Sequence, residues 1–227
     1  MWVSKAISLK VAIIFMYNIN SSANGFSFKA AKIIVVAYLL LAYPLAVILP
    51  YELTWENGPI ENLQVVVLLA ACLVNARLYF RMKSLWYKRE KMHLWQAVFF
   101  AMLVGRELSW GRVFVPTGMT EDGPLFMVYT PMQHTILHGV LGVVFLWLAV
   151  QLVRWVPWSK VVKFDYDIPW LFICVLFLST FMVVSGERTW FGIPHSTGQA
   201  LEELAELDMY FCLCCLSAWY NKTFCSK

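Results

Sequence analysis

The chain has 227 residues, 60% of them hydrophobic and only 14% charged, with 11 Trp and 16 Phe. A soluble domain carries about 45–50% apolar and about 25% charged residues, so a single water-soluble globule is excluded. The formal net charge of +4 is the small difference between 18 basic and 14 acidic residues that separate along the chain, and it carries no signature of nucleic-acid binding.

Taken in chain order, the apolar residues fall into windows of about 17–25, the length a helix needs to cross about 30 Å of hydrocarbon. Backbone groups in lipid must be satisfied within their own segment, so these windows predict helices. The short alternating segments of a membrane barrel do not occur. The first apolar run, residues 11–17, is too short to span; Lys5 and Lys10 precede it and polar residues from Asn18 to Asn24 follow it. No small-residue cleavage site follows, so residues 1–30 read as a cytoplasmic or interfacial segment rather than a signal peptide. Spans are predicted at residues 31–51, 63–80, 92–110, 125–153, 168–186 and 201–220, and residues 221–227 form a tail. The predicted fold is all-α, a polytopic bundle of six transmembrane helices in one domain, residues 31–220.

Pro44 lies inside the first span and predicts a kink there. The loop after it contains Asn57-Gly58-Pro59, a turn signal, with Pro59 suited to the first turn of the second helix. The third span ends in Gly105-Arg106-Glu107-Leu108-Ser109-Trp110-Gly111, and the fifth in Gly186-Glu187-Arg188-Thr189-Trp190-Phe191-Gly192. This echo has two explanations, a repeated three-helix unit or the general preference of Trp for membrane interfaces.

Orientation follows from the basic residues. Of the 18 Lys and Arg, all but Arg106, Arg112 and Arg188 fall on one side of the predicted spans. The positive-inside rule places that side, and both termini, in the cytoplasm. The acids do the reverse: apart from Glu90, Asp165 and Asp167, they lie outside or in the outer half. Six cysteines are present, none of them on the outer, oxidising side, so no disulfide framework is predicted. Cys212, Cys214 and Cys215 read either as small apolar helix residues or as soft-metal ligands.

The outer ends of four spans bring ionisable residues to similar depth. They supply Glu107 with Arg106, Trp110 and Arg112; His134 and His138; Glu187 and Arg188, with His195 beyond; and Glu202, Glu203, Glu206 and Asp208. Ionisable groups within spans are costly and mark functional sites by default. Glu107, Glu203 and Glu206 are the candidate acid/base residues. Arg106, Trp110, Glu187, Arg188 and Asp208 are candidate binding residues. His134 and His138, four apart on one helix face, are candidate metal ligands with His195 as a third. Zinc is the divalent ion such a set suits.

Simpler readings stand beside these. Arg106 and Glu107 can form an interfacial ion pair. Glu202 and Glu203 are favoured by the dipole of a helix capped at Ser196 or Thr197. The two histidines can hydrogen-bond carboxylates, and His93 is placed at the inner interface.

At these residues the chain resembles an uncharacterised group of small bacterial polytopic membrane proteins. Their marks are an acidic Gly-Pro turn, a Gly-Glu-Glu-Ile-Ser-Trp-Gly-Gln-like helix end and a Glu-Glu-rich start to the final span. Here they read Glu56-Asn57-Gly58-Pro59-Ile60-Glu61, then Gly105-Arg106-Glu107-Leu108-Ser109-Trp110-Gly111-Arg112, then Leu201-Glu202-Glu203-Leu204-Ala205-Glu206-Leu207. The chain departs at Arg106 and Arg112, where the group carries Glu and Gln. The resemblance implies a bacterial inner-membrane location and supports the fold, but it brings no reaction with it. A fainter similarity is to alkaline ceramidase-type membrane hydrolases, which hold zinc through histidines including a pair four apart. It implies a metal role for His134 and His138, although no histidine here has a serine four residues before it, as those enzymes do.

Three functions fit these residues. The first is an intramembrane, metal-dependent hydrolase acting on a lipid or lipid-linked substrate. The second is a small ion- or proton-coupled transporter, and the third a scaffold or assembly subunit. With the inner halves of the spans read as lacking polar residues, a complete permeation path is disfavoured and the hydrolase leads.

Overall fold

The structure, a computed structural model, describes residues 26–84, 90–120, 123–156, 158 and 168–225. The short apolar run at 11–17 lies outside the described residues. Six long helices are described: α1 (Phe26–Ile48), α2 (Pro59–Ser84), α3 (Glu90–Glu107), α4 (Pro131–Trp155), α5 (Trp170–Glu187) and α6 (His195–Cys225). Among the described residues, one hairpin, β1 (Pro116–Thr120) with β2 (Gly123–Phe126), stands among the helices.

Among the described residues, four segments are long and apolar enough to cross a membrane: Phe28–Ile48, Tyr51–Lys83, Pro131–Trp155 and Trp170–Glu187. α3 and α6 differ from these in charge. Glu90, Lys91, Arg106 and Glu107 lie on α3, and Glu202, Glu203, Glu206, Asp208 and Lys222 on α6. α6 also continues past residue 220, so most of the predicted tail is helical.

The chain divides into two compact units, Met1–Ala70 with Asp167–Lys227, and Ala71–Tyr166. α2 passes from one to the other. In the first unit, α1, α5 and α6 enclose two apolar layers. One is Ala31, Val35, Phe172, Val175, Cys212 and Cys215; the other is Ala42, Ala46, Ala200, Leu201 and Leu204. Small side chains recur at these contacts, as expected where helices pack by close approach rather than by expulsion of water. Cys212, Cys214 and Cys215 of α6 are buried and free, consistent with small apolar packing residues.

The turn into α2 forms as predicted. Asn57 has φ 58°, the Gly58 amide donates to the Trp55 carbonyl at 2.7 Å, and Pro59 opens the helix. A Cβ on Gly58 would sit 2.5 Å from that same carbonyl oxygen, which only glycine avoids. The Glu61 carboxylate accepts from the Asn57 amide, and the Asn62 side chain donates to the Gly58 carbonyl at 2.7 Å.

In the second unit, α3 and α4 run antiparallel. Trp95 meets Trp147 edge-on at 4.8 Å, and the Lys91 ammonium lies 5.3 Å from the Trp155 ring centre. The predicted fourth span, beginning at residue 125, is corrected here: Leu125 and Phe126 pair with Gly118 and Pro116 in the hairpin. α4 starts at Pro131, behind a Thr130–Gln133 capping box. The cap and the N1 proline decide where the helix begins, and a hydropathy window registers neither.

Candidate functional site

The echo between the third and fifth spans is a shared backbone shape. Past Glu107, Ser109, Trp110 and Gly111 take φ values of 44°, 53° and 97°; past Glu187, Thr189, Phe191 and Gly192 take 47°, 63° and 72°. Each helix thus ends in a short 3-10 turn threaded through left-handed residues. That conformation costs a non-glycine residue roughly 1–2 kcal/mol and persists only where its surroundings hold it. In the first motif the Trp110 ring folds back over Gly105, where a Cβ would lie 2.5 Å from the ring. In the second, Gly186 meets the backbone of Gly198 on α6.

Glu107 is buried at the end of α3, and Arg106 Nη1 lies 3.0 Å from its Oε1. The guanidinium is half exposed and the carboxylate enclosed. The ion pair expected from the sequence is formed. Trp110 is half-buried, and its carbonyl accepts from Tyr129 Oη at 3.3 Å. Glu187 and Arg188 are exposed, as is His195 at the start of α6.

In the first unit, polar groups of the α1–α2 loop, α2 and α6 interlock. Tyr51 Oη donates to Gln199 Oε1 at 2.7 Å, and Gln199 Nε2 donates to the Thr54 carbonyl at 3.1 Å. Gln64 Nε2 donates to both the Glu203 carbonyl and its carboxylate, at 2.8 and 3.0 Å. Tyr51 and Gln64, neutral residues in an apolar or loop context, give no signal in the sequence. For Gln199 the sequence suggests a capping box with the cap of the last helix, whereas its side chain bonds to Tyr51 and Thr54 of the loop.

α6 begins at His195, one residue before Ser196 and two before Thr197, the expected caps, so Glu202 and Glu203 fall outside its first turn. Those two acids lie about two turns in, where the helix dipole no longer accounts for them. Further along, Glu206 and Asp208 are 4% and 2% exposed. They face opposite ways. Glu203, Glu206, Tyr210, Cys214, Ser217 and Asn221 share an arc of about 80° at 3.6 residues per turn. Asp208 lies on the other side, among the residues that face α1 and α5.

This arc changes one expectation outright. The inner halves of the predicted spans are expected to lack polar residues, yet Ser217 and Asn221 are buried toward the C-terminal end of α6. Asn75 on α2 and His93 and Gln96 on α3 are buried as well. His93, expected at the interface, is fully enclosed, and neither ring nitrogen has a hydrogen-bond partner among the described residues.

His134 and His138 stack at 3.8 Å between ring centres, both exposed on α4. His138 Nδ1 is engaged by the His134 carbonyl at 2.8 Å, which leaves only Nε2 for a ligand. Among the described residues, no three His, Cys, Asp or Glu side chains come together as a metal site. His138→Ala is expected to change stability by no more than about 0.5 kcal/mol, the usual range for an exposed side chain, because its ring meets only His134 of its own helix. Thermal unfolding with and without added zinc checks this: a zinc-dependent stabilisation in the unsubstituted protein that vanishes in the variant would restore the metal reading.

No family model matches the chain, and no curated protein or solved structure matches it.

Proposed function

We propose that the chain is a multi-pass protein of a bacterial inner membrane, with six spans and both termini cytoplasmic, that conducts a small cation or proton across the bilayer. The observation that carries this reading is the buried polar arc of α6. From Glu203 to Asn221 it covers about 27 Å at 1.5 Å per residue, close to the roughly 30 Å of a hydrocarbon core. Half-buried Glu203 and buried Glu206 lie at one end of this face and buried Ser217 and Asn221 at the other, with Tyr210 and Cys214 between them. Polar side chains at both ends of a span suit an ion path, and they are costly in a helix that serves packing alone. Carboxylates at the outer end, Glu203 and Glu206, suit a positively charged ligand. α3 and α6 carry more charge than lipid-facing spans tolerate, which suits helices shielded by their neighbours.

Reconstitution in vesicles tests the reading. An imposed pH or sodium gradient should collapse faster in vesicles containing the protein than in empty ones, followed with an internal pH- or sodium-sensitive dye. Identical decay for both cations would remove it. The topology has its own test: a periplasm-dependent reporter fused after Asn57 should be active, and the same reporter after Lys227 silent. The reverse pattern would invert the orientation and turn Glu203 and Glu206 toward the cytoplasm.

A further inference from the structure

Asp208 occupies a place that neither packing nor the α6 arc explains. It lies between the two apolar layers of the first unit, one turn from Leu204 on one side and from Cys212 on the other. Three helices meet at its level. Ser179 of α5 is fully buried and its Oγ donates to Asp208 Oδ2 at 2.9 Å. Tyr38 of α1 packs against the layer that contains Leu204, and Cys212 and Cys215 belong to the other layer. Among the described residues no Lys, Arg or His pairs with Asp208. Ser179 stands eight residues before the end of α5 at Glu187, so the group is about 12 Å deep along the helix.

An ionised carboxylate buried here without a countercharge would be costly, and the protein could avoid that cost with an apolar residue or an amide of the same shape. A carboxyl becomes useful at such a point when something positive binds to it. We propose that Asp208, with the Ser179 hydroxyl bonded to it, is a membrane-embedded binding site for one monovalent cation, a proton or Na+, that exchanges with the aqueous phase. The proton neutralises the carboxyl directly. Na+ would take the carboxylate and the Ser179 hydroxyl oxygen, hard donors of the kind alkali ions accept. The site deepens the transport reading by naming a coupling ion. It rests on the surroundings of Asp208 and not on the arc of α6, so the two can fail separately.

The test uses dicyclohexylcarbodiimide on the full chain in detergent. The reagent adds across a protonated carboxyl in apolar surroundings and rearranges to a stable N-acylurea, with no leaving group, and peptide mass spectrometry locates the adduct. The expected adduct is on Asp208, absent at that position in Asp208→Asn, and its rate falls as the pH rises from mildly acidic to mildly alkaline. If Na+ is the ligand, sodium chloride slows the reaction in a saturable way and choline chloride does not. If the proton alone binds, neither salt changes the rate. Thermal unfolding of Asp208→Asn should match the unsubstituted protein, because the amide oxygen still accepts from Ser179. An adduct formed at a rate independent of both pH and Na+ would mean a locked structural proton and overturn the proposal, as would no adduct at Asp208 in a folded sample. Vesicle flux is measured separately: reaction at Asp208 with the expected dependence, but no flux, would retain the site and discard the transport reading.

Discussion

Gly186→Val is expected to cost more folded protein than any other single substitution considered for this chain. Gly186 closes α5 against the first turn of α6. A Cβ there would lie 2.5 Å from the Gly198 carbonyl oxygen and 3.0 Å from the Glu202 amide nitrogen. Both obstacles are backbone, so no side-chain rotation relieves them. The reciprocal contact is as tight, with a Cβ on Gly198 2.8 Å from the Gly186 carbonyl oxygen. Overpacking a well-filled interior by a methylene or two costs about 1–3 kcal/mol, and more where nothing yields. Opening the contact would also release Ser179 from Asp208, since both lie on the helices it joins. Gly139 and Gly142 on α4 supply the control, because a Cβ at either meets nothing within 4 Å. Gly139→Ala should leave stability unchanged or raise it by up to about 1 kcal/mol through helix propensity. Circular dichroism melts in detergent compare them. Equal melting of Gly186→Ala and Gly139→Ala would show that α5 and α6 do not approach as described.

Glu206→Gln is expected to remove cation flux while leaving the fold intact. Glu206 is buried, one turn below Glu203 on the polar arc of α6. The amide keeps the shape and the hydrogen-bonding capacity of the carboxyl but carries no charge. A contact to a charged group contributes about 1.5–3 kcal/mol, so losing it should slow flux roughly 10- to 100-fold. His134→Ala, on an exposed position away from any arc of buried polar residues, should transport normally. Dye-monitored decay of a pH or sodium gradient in vesicles of matched protein content reads both. Full flux in Glu206→Gln with loss in His134→Ala would move the site from α6 to α4 and revive the histidine-centred reading.

The sequence by itself determined the helical class, the approximate position of each long helix and the turn at Asn57-Gly58-Pro59. These follow from local physics. Backbone groups in lipid must bond within their own segment, and Gly and Pro act on their own φ angles. The sequence also raised the echo between the two helix ends, which recurs as a shared left-handed turn. It placed Glu107 beside Arg106 because the two are adjacent in the chain.

Tertiary structure decided which way each polar residue turns. A hydropathy window averages around the whole circumference of a helix, so Asn75, His93, Ser217 and Asn221 vanish into apolar neighbours even though each is buried on one face. The same averaging hid the split between Glu206 and Asp208, two positions apart yet on opposite sides of α6. It also extended the fourth span over Leu125 and Phe126, whose apolar side chains belong to a hairpin. The start of α6 at His195 depends on the approach of Gly198 to Gly186, two glycines twelve residues apart with a turn between them. The histidine pair shows the limit from the other direction. A spacing of four fixes that His134 and His138 share a face, but only the arrangement of the other helices determines whether a third donor meets them, and among the described residues none does.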